Sequence, residues 1–369
     1  MEINKFYQGH ALDVLRTFPD GCIDSVVTSP PYWGLRNYGT NPQVWGGDAN
    51  CQHEWAKIIK PPNGGKNNPE RPPLVNANKA MDKMDVRGKG AESDFCPKCG
   101  AWLGELGLEP TLQMFMDNLM LIFDEIHRVL KDTGTLWVNL GDCYSGSGGM
   151  GSKYTNLQKR GMIMLKDFNR SNMDIPKKSL CLIPQRFAIN MVDRGWLCRN
   201  EIIWYKPNAM PESVKDRFTN DYEPIYFFTK AQDYYFEQQL EESYWANHDP
   251  RAKNEDRNIA ENGKIATGTY KMQGVNYRKD GKRNMRCVWE LNTKGSTENH
   301  FATYPQRLIK TPILAGCPVD GVVLDPFMGT GTTAVVSRKL DRRFIGIELN
   351  PESIDISESM MRKEFGLFL

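Results

Sequence analysis

The fold is decided by residues 321–348, which read GVVLDPFMGTGTTAVVSRKLDRRFIGIE. An apolar run ends at Asp325, a glycine turn leads into the helical run 334–340, and a second apolar run ends at Glu348. This order of strand, turn, helix and strand predicts one unit of an α/β sheet. Glycines in the turn let the backbone approach a ligand, and the start of the helix offers unpaired N–H groups to it.

The same stretch predicts the kind of ligand. Glu348 follows Gly331 by seventeen residues, and an acid at the end of the next strand can accept hydrogen bonds from ribose hydroxyls. Thr333-Ala334-Val335 stands where a dinucleotide enzyme has its third glycine. S-adenosylmethionine fits better, because it has a ribose but no pyrophosphate, and Asp325 can face its cationic methionine end. A plain strand-turn-helix with Glu348 on the surface is the alternative.

Outward from this stretch, strands and helices alternate along the chain. Short runs rich in apolar residues predict buried strands at 23–28 and 135–140, and further strands are predicted at 197–205 and 222–229. Apolar residues at helical spacing predict helices from Thr111 to Leu130, from Pro184 to Asp193 and from Tyr304 to Leu314. The alternation predicts an α/β fold.

The second candidate site is Val27-Thr28-Ser29-Pro30-Pro31-Tyr32, where a strand ends at two prolines. An exocyclic amino nitrogen of a nucleobase is a poor nucleophile, because its lone pair is delocalised into the ring. Acceptors that face its N–H groups favour attack, and Ser29 Oγ and the Pro30 carbonyl are suitable acceptors. Tyr32 can stack on a base removed from the duplex. A proline turn with Tyr32 in the core is the alternative.

Together the two segments resemble the DNA amino-methyltransferases, which methylate cytosine N4 or adenine N6 with S-adenosylmethionine. The Ser-Pro-Pro-Tyr segment precedes the glycine segment, which is the order of the β group. The resemblance covers 1–38, 108–235 and 287–355 and implies a Rossmann-like, seven-stranded, mostly parallel sheet with one antiparallel strand. It implies catalytic residues Ser29, Pro30, Pro31 and Tyr32, and cofactor residues Asp325, Pro326, Phe327, Gly329, Gly331, Thr332 and Glu348.

Two positions qualify the resemblance. Members with serine first in the tetrapeptide are often N4-cytosine enzymes, whereas aspartate is typical of N6-adenine enzymes, so Ser29 favours cytosine and leaves adenine as the alternative. Gly9-His10 stands where a Gly-Asp pair is frequent near the cofactor. The role of His10 toward the cofactor is therefore open.

The resemblance also divides the chain. Residues 1–38 and 108–235 are the expected catalytic half, 39–107 an insertion, 236–286 a small target-recognition region, and 287–369 the cofactor-binding half. Between 251 and 286, ten lysines and arginines against four acids leave a local charge of +6. This excess favours double-stranded DNA as the partner, although a solvated charged face is the commoner origin of such a run.

The insertion carries two pairs of metal-binding side chains, Cys51-x-His53 and Cys96-x-x-Cys99. These four residues are enough to close a tetrahedral zinc site. Few apolar residues lie between 57 and 94, so a metal ion is one means of holding the segment together. We predict a structural, non-catalytic zinc. A reduced cysteine pair with a surface histidine, or a segment ordered only on DNA, are the alternatives.

Composition limits the class of protein. Hydrophobic residues make up 40% and charged residues 25% of 369 residues, which is typical of a chain that buries a core. The net charge of +2 is too small for the whole surface to attract a polyanion. No run approaches the ~18 apolar residues of a membrane span and no signal peptide is evident, which predicts a cytoplasmic protein without a membrane partner. Nine cysteines with one close pair argue against a disulfide framework.

The leading hypothesis is a site-specific DNA methyltransferase that flips its target base. Methylation of RNA or of a protein amide is the rival among enzymes; related enzymes acting on amides use Asn-Pro-Pro-Tyr, and Ser29 argues against them. A DNA-binding protein without activity is a rival of another class, and the intact motifs argue against it. A nicotinamide dehydrogenase lacks support because the third glycine is missing. A homodimer and a cognate restriction endonuclease stay open as partners.

Overall fold

The fold is organised around one mixed sheet, seen in a computed structural model that describes residues 1–35, 38–55, 94–146, 175–243, 281–293 and 304–366. The strands are β1 (Lys5–Gln8), β2 (Ile23–Thr28), β3 (Gln43–Trp45), β4 (Trp102–Gly104), β5 (Leu130–Asn139), β6 (Leu197–Tyr205), β7 (Tyr222–Thr229), β8 (Leu240–Glu242), β9 (Lys282–Asn284), β10 (Val288–Glu290), β11 (Val322–Asp325) and β12 (Arg343–Glu348). The helices are α1 (Ala11–Arg16), α2 (Leu112–Val129), α3 (Ile183–Asp193), α4 (Gln306–Gly316), α5 (Thr332–Lys339) and α6 (Pro351–Phe365).

Eight strands form the central sheet, in the order β1-β12-β11-β2-β5-β7-β6-β10. All neighbours are parallel except β7, which runs antiparallel to both β5 and β6. The expectation of one antiparallel strand is confirmed, whereas the expectation of seven strands is wrong for the described residues. The additional strand is β10 at the edge; it has three residues and Val288 is 65% exposed. A strand this short and exposed gives no apolar run from which the sequence could predict it.

Helices cover both faces of the sheet, so its central strands β2 and β11 are almost wholly buried. Val26 and Val27 point to opposite faces, as successive strand residues do. Val26 lies in a core cluster with residues of α1, α2 and α3, and Val27 lies in a second cluster with residues of α4. β11 is buried throughout.

Most predicted elements are present with small changes in their ends. The strands predicted at 23–28, 197–205 and 222–229 have those bounds. α2 ends at Val129 and passes directly into β5, which begins at Leu130 rather than at the predicted residue 135. No helix in the described ranges is long and apolar enough to cross a membrane.

The parallel strands place the two sequence motifs at one edge. β2, β11 and β12 are adjacent in the sheet and point the same way. Their last residues, Thr28, Asp325 and Glu348, therefore lie at the carboxyl ends of neighbouring strands. Open α/β sheets bind ligands in the crevice at this edge.

Candidate active site

A direct hydrogen bond joins the two motif segments. Thr28 Oγ1 donates to Asp325 Oδ1 at 2.6 Å, although 297 residues separate them in the chain. Thr28 immediately precedes Ser29, and Asp325 begins the glycine turn. The tetrapeptide and the glycine turn therefore share one cleft.

The Asp325 carboxylate is the centre of a buried network. Its Oδ1 also accepts from the Phe327 N–H at 3.1 Å, and its Oδ2 accepts from Thr333 Oγ1 at 2.6 Å and from Tyr304 Oη at 2.9 Å. Burial raises the pKa of Asp325, and the hydrogen bonds from Thr28 and Thr333 oppose that rise. With four donors, this carboxylate holds β2, α5 and the start of α4 together, so a bound cation would meet a carboxylate that is already hydrogen-bonded.

The two glycines of the turn are required for different reasons. Both have left-handed backbone, with φ of +55° at Gly329 and +84° at Gly331. A Cβ on Gly331 would lie 2.8 Å from the Ser357 side chain on α6, whereas a Cβ on Gly329 would meet nothing within 4 Å. Gly331 is therefore fixed by packing, and Gly329 borders open space that a ligand can enter. Thr332 then starts α5, and Pro326 precedes Phe327 in the turn.

Glu348 supports the turn from the neighbouring strand. Its Oε2 accepts from the Gly329 N–H and its Oε1 from the Asn350 N–H, both at 2.8 Å. Burial raises the pKa of Glu348, and the two backbone N–H groups oppose the rise. Each carboxylate oxygen keeps a lone pair for another donor, such as a hydroxyl.

Three side chains from different parts of the chain surround the hydroxyl of Tyr32. Ser29 Oγ donates to Tyr32 Oη at 3.3 Å, while Asn139 Oδ1 and Glu223 Oε2 lie at 3.1 and 2.9 Å from the same oxygen. The ring lies against Gly141, where a Cβ would come within 2.4 Å of it. Burial and the negative charge of Glu223 raise the pKa of Tyr32 well above its usual value, so it keeps its proton.

A small cleft opens beside these groups. Its lining includes Thr28, Asn139 and Tyr304. The rest of its lining is mostly apolar, with Trp137 and Pro312 among the contributors. The cleft thus lies between the end of β2 and α4.

His10 lies at the same edge of the sheet, close to Glu348. The neighbouring Gly9 N–H donates to the Glu348 carbonyl at 3.0 Å. Burial lowers the pKa of His10, and its Nε2 is buried without a hydrogen-bond partner in the described residues. Its ring packs edge-on against Trp45 of the insertion, with centroids 4.7 Å apart. The insertion therefore packs directly beside the cofactor edge.

The four predicted zinc ligands come together. The ligand atoms of Cys51, His53, Cys96 and Cys99 lie within 4.8 Å of one another. Cys51 Sγ is 3.9 Å from Cys96 Sγ, and Cys99 Sγ is 3.4 Å from His53 Nδ1. Tetrahedral zinc with sulfur and nitrogen ligands separates them by about 3.3–3.8 Å. The donor set and its spacing fit such an ion.

Local backbone geometry explains how two distant segments form this cluster. Gly47 has a φ of +73°, and a Cβ there would lie 2.8 Å from Cys99 Sγ. The Gly100 N–H closes a turn on the Cys96 carbonyl at 2.8 Å. Burial raises the pKa of Cys96, but hydrogen bonds from the Glu54 backbone and from His53 lower it to about 6. The thiolate that zinc requires is therefore favoured at Cys96.

The cluster is attached to a short antiparallel pair that the sequence did not reveal. β3 pairs with β4, and Trp45 and Trp102 face each other in this pair. Both tryptophans are buried in the core cluster that contains α2. Residues 56–93 of the predicted insertion lie outside the described residues.

Only the ends of the predicted target-recognition region can be placed, since 244–280 lie outside the described ranges. β8 and β9 pair antiparallel there. Glu241 accepts hydrogen bonds from both Arg283 and Arg286 at 2.8 Å. These two arginines of the basic run are therefore engaged within the protein.

Sequence reasoning missed three side chains of the site: Asn139, Glu223 and Tyr304. Glu223 lies in a strand whose following residues, 224–229, are all buried, and an acid in such a strand was the available signal. Asn139 and Tyr304 carry no comparable signal, because their roles depend on neighbours 107 and 21 residues away.

Comparison with known proteins gives one consistent likeness. A family model described as DNA methylase, N6_N4_Mtase, matches residues 23–359. The type II methyltransferase M.Cfr9I of Citrobacter freundii is 34% identical, over 99% of this chain and 90% of that protein. M.XycI of Xanthomonas campestris pv. cyanopsidis is 33% identical, over 96% and 87%. The solved PvuII DNA methyltransferase (cytosine-N4-specific) is 16% identical with a TM-score of 0.49, over 97% of this chain and 86% of that one.

Proposed function

Because the chain belongs to the N6/N4 DNA methylase family, as a β-class amino-methyltransferase, we propose that it methylates a flipped cytosine at N4 in a specific site of duplex DNA. Adenine N6 is the alternative target. The methyl donor in this proposal is S-adenosylmethionine. The observation that carries the proposal is the Thr28–Asp325 hydrogen bond at 2.6 Å, which holds Ser29 beside the glycine turn.

The residues of the turn fit the donor. Gly329 borders open space, and Glu348 keeps acceptor capacity for ribose hydroxyls. When bound, S-adenosylmethionine supplies an electrophilic methyl group on a sulfonium, which is already an excellent leaving group. The protein then has to position an amine rather than form a covalent intermediate.

The tetrapeptide performs that positioning. Ser29 Oγ and the Pro30 carbonyl accept the two N–H groups of the target amine, which favours attack by its nitrogen lone pair. Pro31 keeps Pro30 in extended backbone and so fixes the direction of that carbonyl. Tyr32 packs on Gly141 with one side of its ring and stacks on the flipped base with the other.

Serine at position 29 supports cytosine as the target, by its resemblance to N4-cytosine enzymes. The test is methyl transfer from labelled S-adenosylmethionine to DNA, RNA and protein, followed by mass spectrometry of the digested nucleosides. We expect label in duplex DNA as N4-methylcytosine. Label recovered as N6-methyladenine would identify adenine as the target instead of cytosine. Label confined to RNA or protein would overturn the proposal.

We further propose that Cys51, His53, Cys96 and Cys99 hold a structural zinc ion. Their spacing and donor types support it. Purified protein should contain about one zinc ion per chain, with soft ligands closing all four positions. A folded and fully active preparation without zinc would contradict the proposal.

The relatives named above are type II methyltransferases, which supports a role in protecting DNA from a cognate restriction endonuclease. Residues 236–286 are proposed to read the site. DNA modified by this protein should resist one restriction enzyme of matching specificity, and cleavage by every such enzyme tested would refute protection. A homodimer stays a prediction from the sequence.

A further inference from the structure

A line of hydrogen bonds leads from Ser29 into the sheet. Ser29 Oγ donates to Tyr32 Oη at 3.3 Å, and Tyr32 Oη lies 2.9 Å from Glu223 Oε2. Glu223 Oε1 forms an ion pair with Lys206 Nζ. The line therefore runs from the tetrapeptide at the end of β2 to the paired strands β6 and β7.

The direction of these bonds is set by the groups at the far end. An ionised carboxylate accepts hydrogen bonds and donates none. Asn139 is also an acceptor toward Tyr32, because its Nδ2 donates to the Pro224 carbonyl at 3.1 Å and leaves Oδ1 facing Tyr32 Oη. The single phenolic proton is thus directed to Glu223 or Asn139, and the charged acceptor makes the stronger bond.

This direction decides how Ser29 presents itself. Since the Tyr32 proton points away, Tyr32 Oη offers its lone pair to Ser29, and the single Ser29 proton is directed there. Both Ser29 lone pairs then face elsewhere. If these hydrogen bonds ran in the opposite direction, the Ser29 proton would point toward the target amine and repel its N–H groups.

We infer that Glu223 is a positioning residue for methyl transfer: acting through Tyr32, it fixes the direction of the Ser29 hydroxyl so that its lone pairs receive the target amine. The inference rests on the proposed role of Ser29 as an acceptor. Glu223 acts without touching the substrate.

The surroundings of Glu223 suit this role. Glu223 pairs directly with Trp204 in the β6–β7 register, and Trp204 Nε1 donates to the Leu291 carbonyl at 2.8 Å. Lys206 lies over the Trp204 ring at 4.2 Å from its centroid. The side chains of Glu223 and Lys206 are only 22% and 15% exposed. Glu223 is thus held by a central strand of the sheet and by a mostly buried ion pair.

The experiment is single-turnover methyl transfer to duplex DNA by Glu223→Gln. An amide can donate as well as accept, so it no longer fixes the direction. We expect the rate to fall about tenfold, which corresponds to the loss of one neutral hydrogen bond. The fall should be no larger, because Asn139 still accepts a hydrogen bond from Tyr32. Binding of S-adenosylmethionine and of DNA should be unchanged. The matched control is Glu125→Gln on α2: Glu125 is 23% exposed and pairs with Arg128 at 2.8 Å, and its rate should equal the wild-type rate.

A second background separates positioning from a structural role. Tyr32→Phe removes the hydroxyl that connects Glu223 to Ser29. The double variant Tyr32→Phe with Glu223→Gln should therefore have the same rate as Tyr32→Phe alone. Because Glu223→Gln leaves Lys206 unpaired, Glu223→Gln with Lys206→Met provides the same test without an unpaired buried charge.

The outcomes are distinct. A wild-type rate for folded Glu223→Gln, or a tenfold loss that persists undiminished in Tyr32→Phe, would overturn the inference. Failure of the wild-type protein to methylate DNA would instead refute the proposed function.

Discussion

The cleft at the sheet edge and the cysteine cluster are built in opposite ways. In the cleft, parallel strands and hydrogen bonds such as Thr28 to Asp325 position groups as far as 297 residues apart in the chain. In the cluster, three thiols and a histidine lie within 4.8 Å of one another in the segments that follow β3 and precede β4. The cleft is preorganised by the protein alone. The cluster brings together groups that repel as thiolates, so we expect a metal ion to stabilise it.

The largest expected effect lies in the cleft. Ser29→Ala removes an acceptor for the target amine and should lower the rate of methyl transfer about 10²- to 10³-fold. Thermal unfolding should be unchanged, because Ser29 follows the last residue of β2 and is only partly buried. Ser179→Ala, a half-buried hydroxyl outside the cleft, is the control. A Ser29→Ala enzyme with the wild-type rate would remove the tetrapeptide from the chemistry.

A substitution in the cysteine cluster should change the stability of the protein rather than its rate of methyl transfer. Cys96→Ser should release bound zinc and lower the free energy of unfolding by about 3 kcal/mol or more. Cys198→Ser, an exposed cysteine outside the cluster, should change neither. Metal analysis and denaturant unfolding check both variants. Equal stability of the two variants would contradict a structural metal.

Glu109 lies close to the tetrapeptide and adds a pH dependence. Its Oε2 accepts from the Gly107 N–H at 2.8 Å, and Trp33 Nε1 donates to its carbonyl at 2.9 Å. A Cβ on Gly107 would lie 3.3 Å from Pro31 Cβ, so Glu109 supports the tetrapeptide from the insertion side. Burial raises the pKa of Glu109 from 4.5 to about 7.

The sign of the Glu109 effect follows from that shift. The folded protein binds the proton more tightly than the unfolded chain, so its contribution is full below about pH 4.5 and is lost as pH rises through 7. The loss is up to about 3 kcal/mol. Denaturant unfolding of wild type and Glu109→Gln across this range should show the difference, and parallel curves would contradict it.

The smallest expected effect compares two glycines of one turn. Gly331→Ala meets Ser357 at 2.8 Å as well as positive φ, and should lose about 2–3 kcal/mol of stability. Gly329→Ala meets only positive φ and should lose about 1 kcal/mol. Gly329→Ala should nevertheless weaken binding of S-adenosylmethionine more, because its Cβ enters the open space. Calorimetry of both variants tests the comparison, and the reverse order of binding losses would contradict it.

The sequence predicted the parts whose signal is local. The strands at 197–205 and 222–229 have eight or nine residues, and the helix α2 has a long helical period, so their bounds were close. β1, β3 and β4 have only three or four residues and exist because partners cover them. The motif residues could be named because their types are typical of the family. Glu223 could not be assigned a role, since 191 residues separate it from Tyr32.

The most direct test is a structure of this protein with duplex DNA and an unreactive analogue of S-adenosylmethionine. The account predicts a flipped base whose amino group donates to Ser29 Oγ and to the Pro30 carbonyl. The analogue should lie along Gly329 with its ribose at Glu348 and its sulfonium end toward the amine. A base bound away from Ser29, or an analogue outside the cleft between Thr28 and Glu348, would contradict it.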